Sequence, residues 1–238
     1  MGMKKLILTT AVIAALSNIC HAQAEKNNLS VTTDFKEMSG LGRMQTQDAI
    51  QTYKSGAVTG TQFYSNWSPG SVTTTRDEVI NSYLLLYDKV RQELFIRPKD
   101  SSVIVLADKS QVKSFNLSLD KPHVFVKAST YDPKQGDNFF EVIVQGNYTL
   151  LKLTKTNFEK ADYSDMLKVK AGDMSDAFVD NITYYIYHKG TLEKTGLKEK
   201  AILKSLPDQS AKVENYLNLH DGEDFTEQLL TGLVSSLN

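Results

Sequence analysis

Three histidines outside the first two dozen residues are the side chains best suited to acid–base chemistry, because imidazole titrates near neutrality. They are His123, His188 and His220. They fall in separate predicted elements, and no two of them are four residues apart, as a zinc-binding pair on one helix face requires. Each could act as a general base, but the spacing predicts solvated or locally hydrogen-bonded imidazoles.

Carboxylates suggest two further sites. Asp173, Asp176 and Asp180 lie close together, but they do not match the twelve-residue calcium loop and lack its central glycine. Glu141 with Asp132 or Asp137 is a candidate pair for hydrolysing an envelope polymer. That chemistry needs two carboxyl groups about 5–10 Å apart, a distance that nothing in the sequence fixes.

Motifs with a defined mechanism are missing from the sequence. It has no Gly-x-Ser-x-Gly elbow, no His-Glu-x-x-His pair and no phosphate-binding Gly-x-x-x-x-Gly-Lys loop. Gly40 and Gly42 lack the third glycine and the preceding strand of a dinucleotide loop. We therefore predict no catalytic residue, no cofactor, no metal site and no enzymatic activity.

Aromatic side chains are the stronger indication of a binding surface. Trp67, the only tryptophan, lies in a turn-rich segment, where it could stack on a sugar or a partner or plug the end of a sheet. Tyr83, Tyr185 and Tyr187 lie on predicted strands that are apolar on both faces. Such strands either sit between two layers or line a ligand groove, so these four residues are the candidate ligand contacts.

The elements that position these residues are mostly strands. Residues 57–195 form short segments rich in Val, Ile, Thr, Tyr and Phe, separated by turn-forming pairs such as Gly146-Asn147. No crossover helix fits between them, so the sheet is predicted to be antiparallel, as a meander or a partly closed sheet. Residues 25–56 read as a polar lead-in with a short helix at 46–53. The charged stretch 155–178 reads as a long loop or a short helix.

Helical spacing begins after residue 196. One segment ends before Pro207, Asp208 is placed to cap a second, and Asp224 with Glu227 resembles a capping box for a third. The third carries an apolar stripe formed by Leu229, Leu230, Leu233, Val234 and Leu237. The fold class is therefore mainly β (α+β), with helices at 196–238 packed on the β-body.

The first 24 residues have the three-part order of a secretory signal. Lys4 and Lys5 precede the apolar stretch 6–16, and Ala22-Gln23-Ala24 supplies the small residues that a signal peptidase reads. A lipid anchor on Cys20 is the alternative, but Ile19 stands where a lipoprotein signal needs a small residue. We predict export to the periplasm or cell envelope.

Composition excludes other classes. Of 238 residues 41% are hydrophobic, so a packed core is expected, and 27 basic against 28 acidic residues argue against nucleic-acid binding. After residue 24 no apolar run approaches the ~18 residues of a transmembrane helix, so no span is predicted in the mature chain. Cys20 is the only cysteine and leaves with the signal, so the mature chain has neither a disulfide nor a thiol nucleophile.

The segment 60–74, Gly-Thr-Gln-Phe-Tyr-Ser-Asn-Trp-Ser-Pro-Gly-Ser-Val-Thr-Thr, resembles a group of exported Bacteroidota proteins. The likeness continues in Tyr87-Asp88, Lys113-Ser114-Phe115 and Leu206-Pro207-Asp208 and covers most of residues 60–237. It implies an envelope location and a β-rich body with a helical tail. It supplies no catalytic residue.

The function that fits these features best is a non-enzymatic envelope module that binds a partner or an apolar or saccharide ligand. A half-barrel-like carrier of an apolar ligand is the first alternative, and it needs several strands with two apolar faces. The carboxylate-dependent polymer hydrolase is the second.

Export predicts a mature chain that begins at Glu25. N-terminal sequencing of the protein from the envelope fraction of its host checks this. A retained Met1, or a lipid on Cys20, would contradict it.

Overall fold

The strands of the β-body pair into one sheet in the computed structural model, which describes residues 40–45, 50, 58–161 and 175–238. The predicted signal and most of the predicted helix at 46–53 lie outside the described residues. The strands are β1 (Gly42–Gln45), β2 (Val58–Thr59), β3 (Ser68–Thr74), β4 (Val79–Asp88), β5 (Glu93–Pro98), β6 (Ile104–Ala107), β7 (Val112–Ser118), β8 (Pro122–Lys127), β9 (Phe139–Val144), β10 (Thr149–Glu159), β11 (Asp176–His188) and β12 (Thr191–Thr195).

The strand order is β1-β6-β5-β4-β3-β7-β8-β9-β10-β11-β12, and β2 lies beside β11. Every described pair is antiparallel except β2 with β11, so the predicted mainly β, antiparallel fold is confirmed. The order is not a simple meander, because β7 returns to pair with β3. β1 lies in the stretch predicted as a polar lead-in, and its four residues are too few to show a clear alternation.

The return from β6 to β7 forces the sheet to curl. The two strands are four positions apart in the order, which is about 19 Å in a flat sheet. Only residues 108–111 join them, and even fully extended they would span about 17 Å. They are not extended, because Gln111 N–H donates to the Asp108 carbonyl at 2.9 Å. The strands between β6 and β7 must therefore roll up around a shared inner face.

Aromatic rings fill that inner face. Tyr87, Phe115, Phe125 and Phe139 come from four strands and are all buried. The Phe115 and Phe125 rings stack with centroids 4.7 Å apart, and Phe139 meets Phe115 edge-on at 5.2 Å. The two strands predicted to be apolar on both faces, β4 and β11, do sit between two layers of side chains.

The turn between β4 and β5 reaches across the curl to β10 and β11. The buried Lys89 ammonium forms an ion pair with Asp180 at 2.8 Å, and the Thr156 N–H donates to the Lys89 carbonyl at 3.4 Å. The prediction of a loop or helix over 155–178 is wrong at both ends. β10 and β11 stay paired with each other as far as Glu159 with Ala177, and this pairing keeps the charged residues there extended.

The C-terminal part contains three helices: α1 (Glu199–Ser205), α2 (Ser210–Leu219) and α3 (Glu227–Ser236). Leu230, Leu233 and Val234 of α3 pack with Leu150 and Ile186 on the inner face of β10 and β11, so the predicted apolar stripe is buried. Beyond α3, the Asn238 side-chain amide exchanges hydrogen bonds of 2.8 and 3.0 Å with the backbone of Tyr148. None of the described helices has the length and hydropathy to span a bilayer.

Two predicted helix caps are wrong. α3 is capped by Thr226, whose hydroxyl accepts from the Leu229 N–H, and not by Asp224. Asp208 lies inside a 3-10 turn that begins at Pro207, and Gln209 takes the cap position of α2. Sequence spacing places a helix start only to within a few residues, because several neighbouring polar residues are of types that can cap a helix.

Replacing the fully buried Leu233 by alanine should destabilise the protein by about 2–5 kcal/mol, through lost burial and the cavity left behind. The matched control is Leu219→Ala, because Leu219 also lies at the helical end of the chain but is 84% exposed. Its effect should stay within about 0.5 kcal/mol. Urea unfolding measures both. Equal effects would mean that α3 is not docked on the sheet.

Candidate functional site

A group of polar side chains lies on the inner face where the aromatic core ends and the helix-covered part begins. We call it the junction cluster; its members are Tyr64, Asp120, His123, Glu141, Lys152, Tyr184 and Glu227.

Strand alternation places it there. On β9, Phe139 enters the aromatic core, Ile143 packs toward the helices, and Glu141 lies between them on the same face. On β10, Lys152 follows the helix-covered Leu150 in the same way.

Three atoms of the cluster form a triangle. The Tyr64 hydroxyl lies 2.8 Å from His123 Nδ1 and 2.9 Å from Glu141 Oε1, and Nδ1 lies 2.7 Å from the same oxygen. An ionised carboxylate only accepts, so the hydroxyl and the Nδ1–H both donate to Oε1. Both protons are used in these two bonds, so none is left for a hydrogen bond between the Tyr64 hydroxyl and His123 Nδ1. Tyr64 is held in place by its N–H, which donates to the Tyr87 carbonyl at 2.9 Å.

The other oxygen of Glu141 is less satisfied. The Glu141 side chain is 7% exposed, and no group of the described residues makes a hydrogen bond with its Oε2. The Lys152 ammonium is the near charge, at 3.8 Å, but it lies closer to Glu227, at 2.9 Å. The Tyr184 hydroxyl also donates to Glu227, at 2.7 Å. Lys152 is thus shared unequally between two carboxylates.

His123 links the buried part of the cluster to solvent. Its Nε2 lies 3.4 Å from Oδ1 of Asp120, whose side chain is 82% exposed. Both of its neighbouring carboxylates are acceptors. A neutral ring that donates from Nδ1 to Glu141 therefore turns an acceptor nitrogen toward Asp120. The two acceptors, Nε2 and Asp120 Oδ1, need a hydrogen-bond donor between them. A second proton on the imidazole or a donor group of a bound molecule would supply it.

The pKa shifts follow this geometry. Burial, and then the Glu141 charge, raises the pKa of Tyr64, and the charges of Glu227 and Asp120 add to it. Burial and the Glu227 hydrogen bond raise the pKa of Tyr184. Burial alone would raise the pKa of Glu227, but the hydrogen bonds from Lys152 and Tyr184 and the Lys152 charge outweigh it and lower that pKa. The nearby carboxylates therefore make the electrostatic potential at the Tyr64 hydroxyl negative.

The four aromatic candidates are not brought together. Tyr83 is 4% exposed in the inner core, so it is packed away from solvent. Trp67 lies on the outer face, where the Arg97 guanidinium is 4.7 Å from its ring. Tyr185 and Tyr187 lie on the outer face of β11 and pack in a further cluster with Phe140.

The carboxylates predicted as candidate sites make their contacts with different partners. Asp132 caps a 3-10 turn, and Asp137 forms an ion pair with Lys127 at 2.9 Å, whereas Glu141 lies in the junction cluster. Asp180 binds Lys89, and Asp173 lies outside the described residues. Within the described part of the chain, no three His, Cys, Asp or Glu residues are placed to hold a metal ion. Comparison with family models, curated proteins and solved structures gives no match to this chain.

Sequence reasoning named His123 and Glu141 but missed the contribution of Tyr64, Lys152 and Glu227. One signal was available. Glu141 is a single charged residue between Phe139 and Ile143 on one strand face, and Lys152 follows Leu150 on the same face of the next strand. A charge on an otherwise buried strand face indicates either an ion pair or a binding site.

Glu227 gives the site a pH-dependent contribution to stability. Its lowered pKa means that the stabilisation is present above the ordinary carboxyl pKa of about 4.3 and is lost as pH falls through the lower folded value. Wild type should therefore be more stable than Glu227→Gln at pH 7, and the difference should shrink steadily toward pH 3.

Urea unfolding at several pH values measures this difference. The matched control is Glu199→Gln, because Glu199 is likewise the first residue of a helix. A Glu227→Gln difference that stays constant with pH, or that matches the control, would contradict the assignment.

Proposed function

We propose that this protein is an exported, non-enzymatic binding module of the bacterial cell envelope, and that the junction cluster binds a positively charged group such as a primary amine. The signal-like N-terminus supports the location. The single observation that carries the binding site is Glu141, a buried carboxylate with one oxygen that receives no hydrogen bond from the described residues.

The charge balance of the cluster favours a cation. The charges of Glu141, Glu227 and Asp120 all act on the Tyr64 hydroxyl. Lys152 is the one described ammonium that forms ion pairs among them. An arriving ammonium would offset the excess negative charge, and the surrounding low dielectric strengthens such an attraction.

The hydrogen-bonding pattern points to a donor-rich ligand. Burying a carboxylate is costly unless its oxygens are paired, and Glu141 has only Oε1 fully paired. At the solvent side, Asp120 and His123 Nε2 also present acceptors when the ring is neutral. An ammonium carries three donors and no acceptor, so it complements this arrangement better than an anion does.

The two alternatives gain less support from the packing. A carrier of apolar ligands needs room on the inner face, which here is occupied by Tyr87, Phe115, Phe125 and Phe139. The space between sheet and helices is likewise filled by packed side chains. A hydrolase needs two carboxylates that face a substrate, whereas Glu141 and Glu227 both face Lys152.

The test uses the tripeptide acetyl-Gly-Lys-Gly-amide as probe, with the Nε-acetylated peptide as its uncharged match. NMR titration of wild-type protein should show saturable shifts with the first peptide and none with the second. Asp120→Asn should weaken binding several-fold, and the effect should diminish at high salt.

The matched control is Asp108→Asn, a second exposed turn aspartate whose pKa is likewise lowered by backbone hydrogen bonds. It should bind like wild type. Equal binding of both peptides, or of neither, would overturn the proposed ligand class.

A further inference from the structure

A depression that shares no residue with the junction cluster lies between the β11–β12 hairpin and the link from α1 to α2. Its volume is about 300 Å³, at the small end of the range for ligand sites. Ile186 and Leu206 give it an apolar part, and His188 and Tyr148 give it an aromatic part. A cavity of this size accommodates one small ring.

His188 is fixed in one orientation by two contacts. Its Nδ1 lies 2.8 Å from the Asn147 carbonyl, which only accepts, so Nδ1 carries the proton. The ring also stacks on Tyr148 with centroids 3.9 Å apart and planes 11° apart. In the neutral imidazole, Nε2 is therefore an acceptor. The other tautomer, with the proton on Nε2, would lose the hydrogen bond to the Asn147 carbonyl.

That acceptor has no donor within the described part of the chain. Nε2 is buried, and no described group makes a hydrogen bond with it. Leaving a buried acceptor unpaired costs about 1–3 kcal/mol, so such atoms are normally satisfied. A hydroxyl or N–H of a molecule in the depression would supply the missing donor.

The remaining lining has charges of both signs. Lys189, Glu193 and Asp208 belong to it, and none of them forms an ion pair with a described residue. Carboxylates accept and an ammonium donates, so the rim suits groups that do both. Hydroxyls have that property, whereas an ion of either sign would meet a like charge at the rim.

We propose that this depression binds a single neutral sugar ring. Ring hydroxyls would pair with the charged rim and with His188 Nε2, and the C–H face would lie on the apolar and aromatic part. The proposal rests on different residues from the amine site and stands or falls independently of it.

The experiment titrates wild-type protein with glucose, galactose and N-acetylglucosamine, with cyclohexanol as a ring that carries a single hydroxyl. Ligand-observed NMR measures binding, and the ¹⁵N shift of His188 Nε2 reports a hydrogen bond to that atom. We expect at least one sugar to bind saturably and to move the Nε2 signal toward the hydrogen-bonded range. Cyclohexanol should bind more weakly.

The variant His188→Phe keeps an aromatic ring beside Tyr148 but removes the acceptor, and it should weaken sugar binding about tenfold or more. The control is His220→Phe, because His220 also stacks on a tyrosine, Tyr216, at 4.4 Å. It should bind like wild type.

The Nε2 shift is read on wild-type protein, so the test survives a variant that fails to fold. No saturable binding of any of the three sugars, or binding without a shift of Nε2, would overturn the proposal.

Discussion

The shortness of the link between β6 and β7 determines much of the architecture. Residues 108–111 cannot bridge four strand positions of a flat sheet, so the strands between must curl. The curl turns one face inward, and that face is where Tyr87, Phe115 and Phe125 are found. The β4–β5 turn lies within reach of Asp180 on β11, with which Lys89 forms its ion pair.

The junction cluster is a product of two cores that do not merge. One core fills the curl and the other lies under the helices; β9 contributes residues to both, and β10 contributes Leu150 to the second. At the boundary between the two cores Glu141 and Lys152 occupy inward positions, where Glu141 is buried and Lys152 is half-buried. Buried ions contribute little to stability unless they are well paired, and the uneven sharing of Lys152 suits a site better than a structural ion pair.

The sequence predicted those parts of the fold that depend on the spacing of neighbouring residues. The two-sided apolar strands, the Gly146-Asn147 hairpin and the α3 stripe all follow from residue alternation or helical spacing, and the structure contains them. Thr226 was missed because Asp224, also of a residue type that caps helices, lies two positions before it. The extension of β10 and β11 was missed because its partner strand, and not its own composition, keeps it extended.

The candidate site was less accessible to sequence reasoning for a similar reason. Tyr64 and His123 are 59 residues apart, and Glu227 reaches Lys152 on β10 from helix α3. Their meeting depends on the curl and on the docking of α3, which no local spacing encodes. Aromatic content drew attention to Trp67 and Tyr83, which the same curl places on opposite faces of the sheet.

The strands at the two ends of the sheet order have a consequence for how the protein behaves at high concentration. β1 has four residues and β12 has five, and both carry charged side chains, Arg43 on one and Glu193 and Lys194 on the other. Short, charged end strands are poor templates for a further chain to pair with. A sheet of this width would otherwise offer two long rows of free backbone groups. These two end strands thus resist edge-to-edge pairing with a further chain.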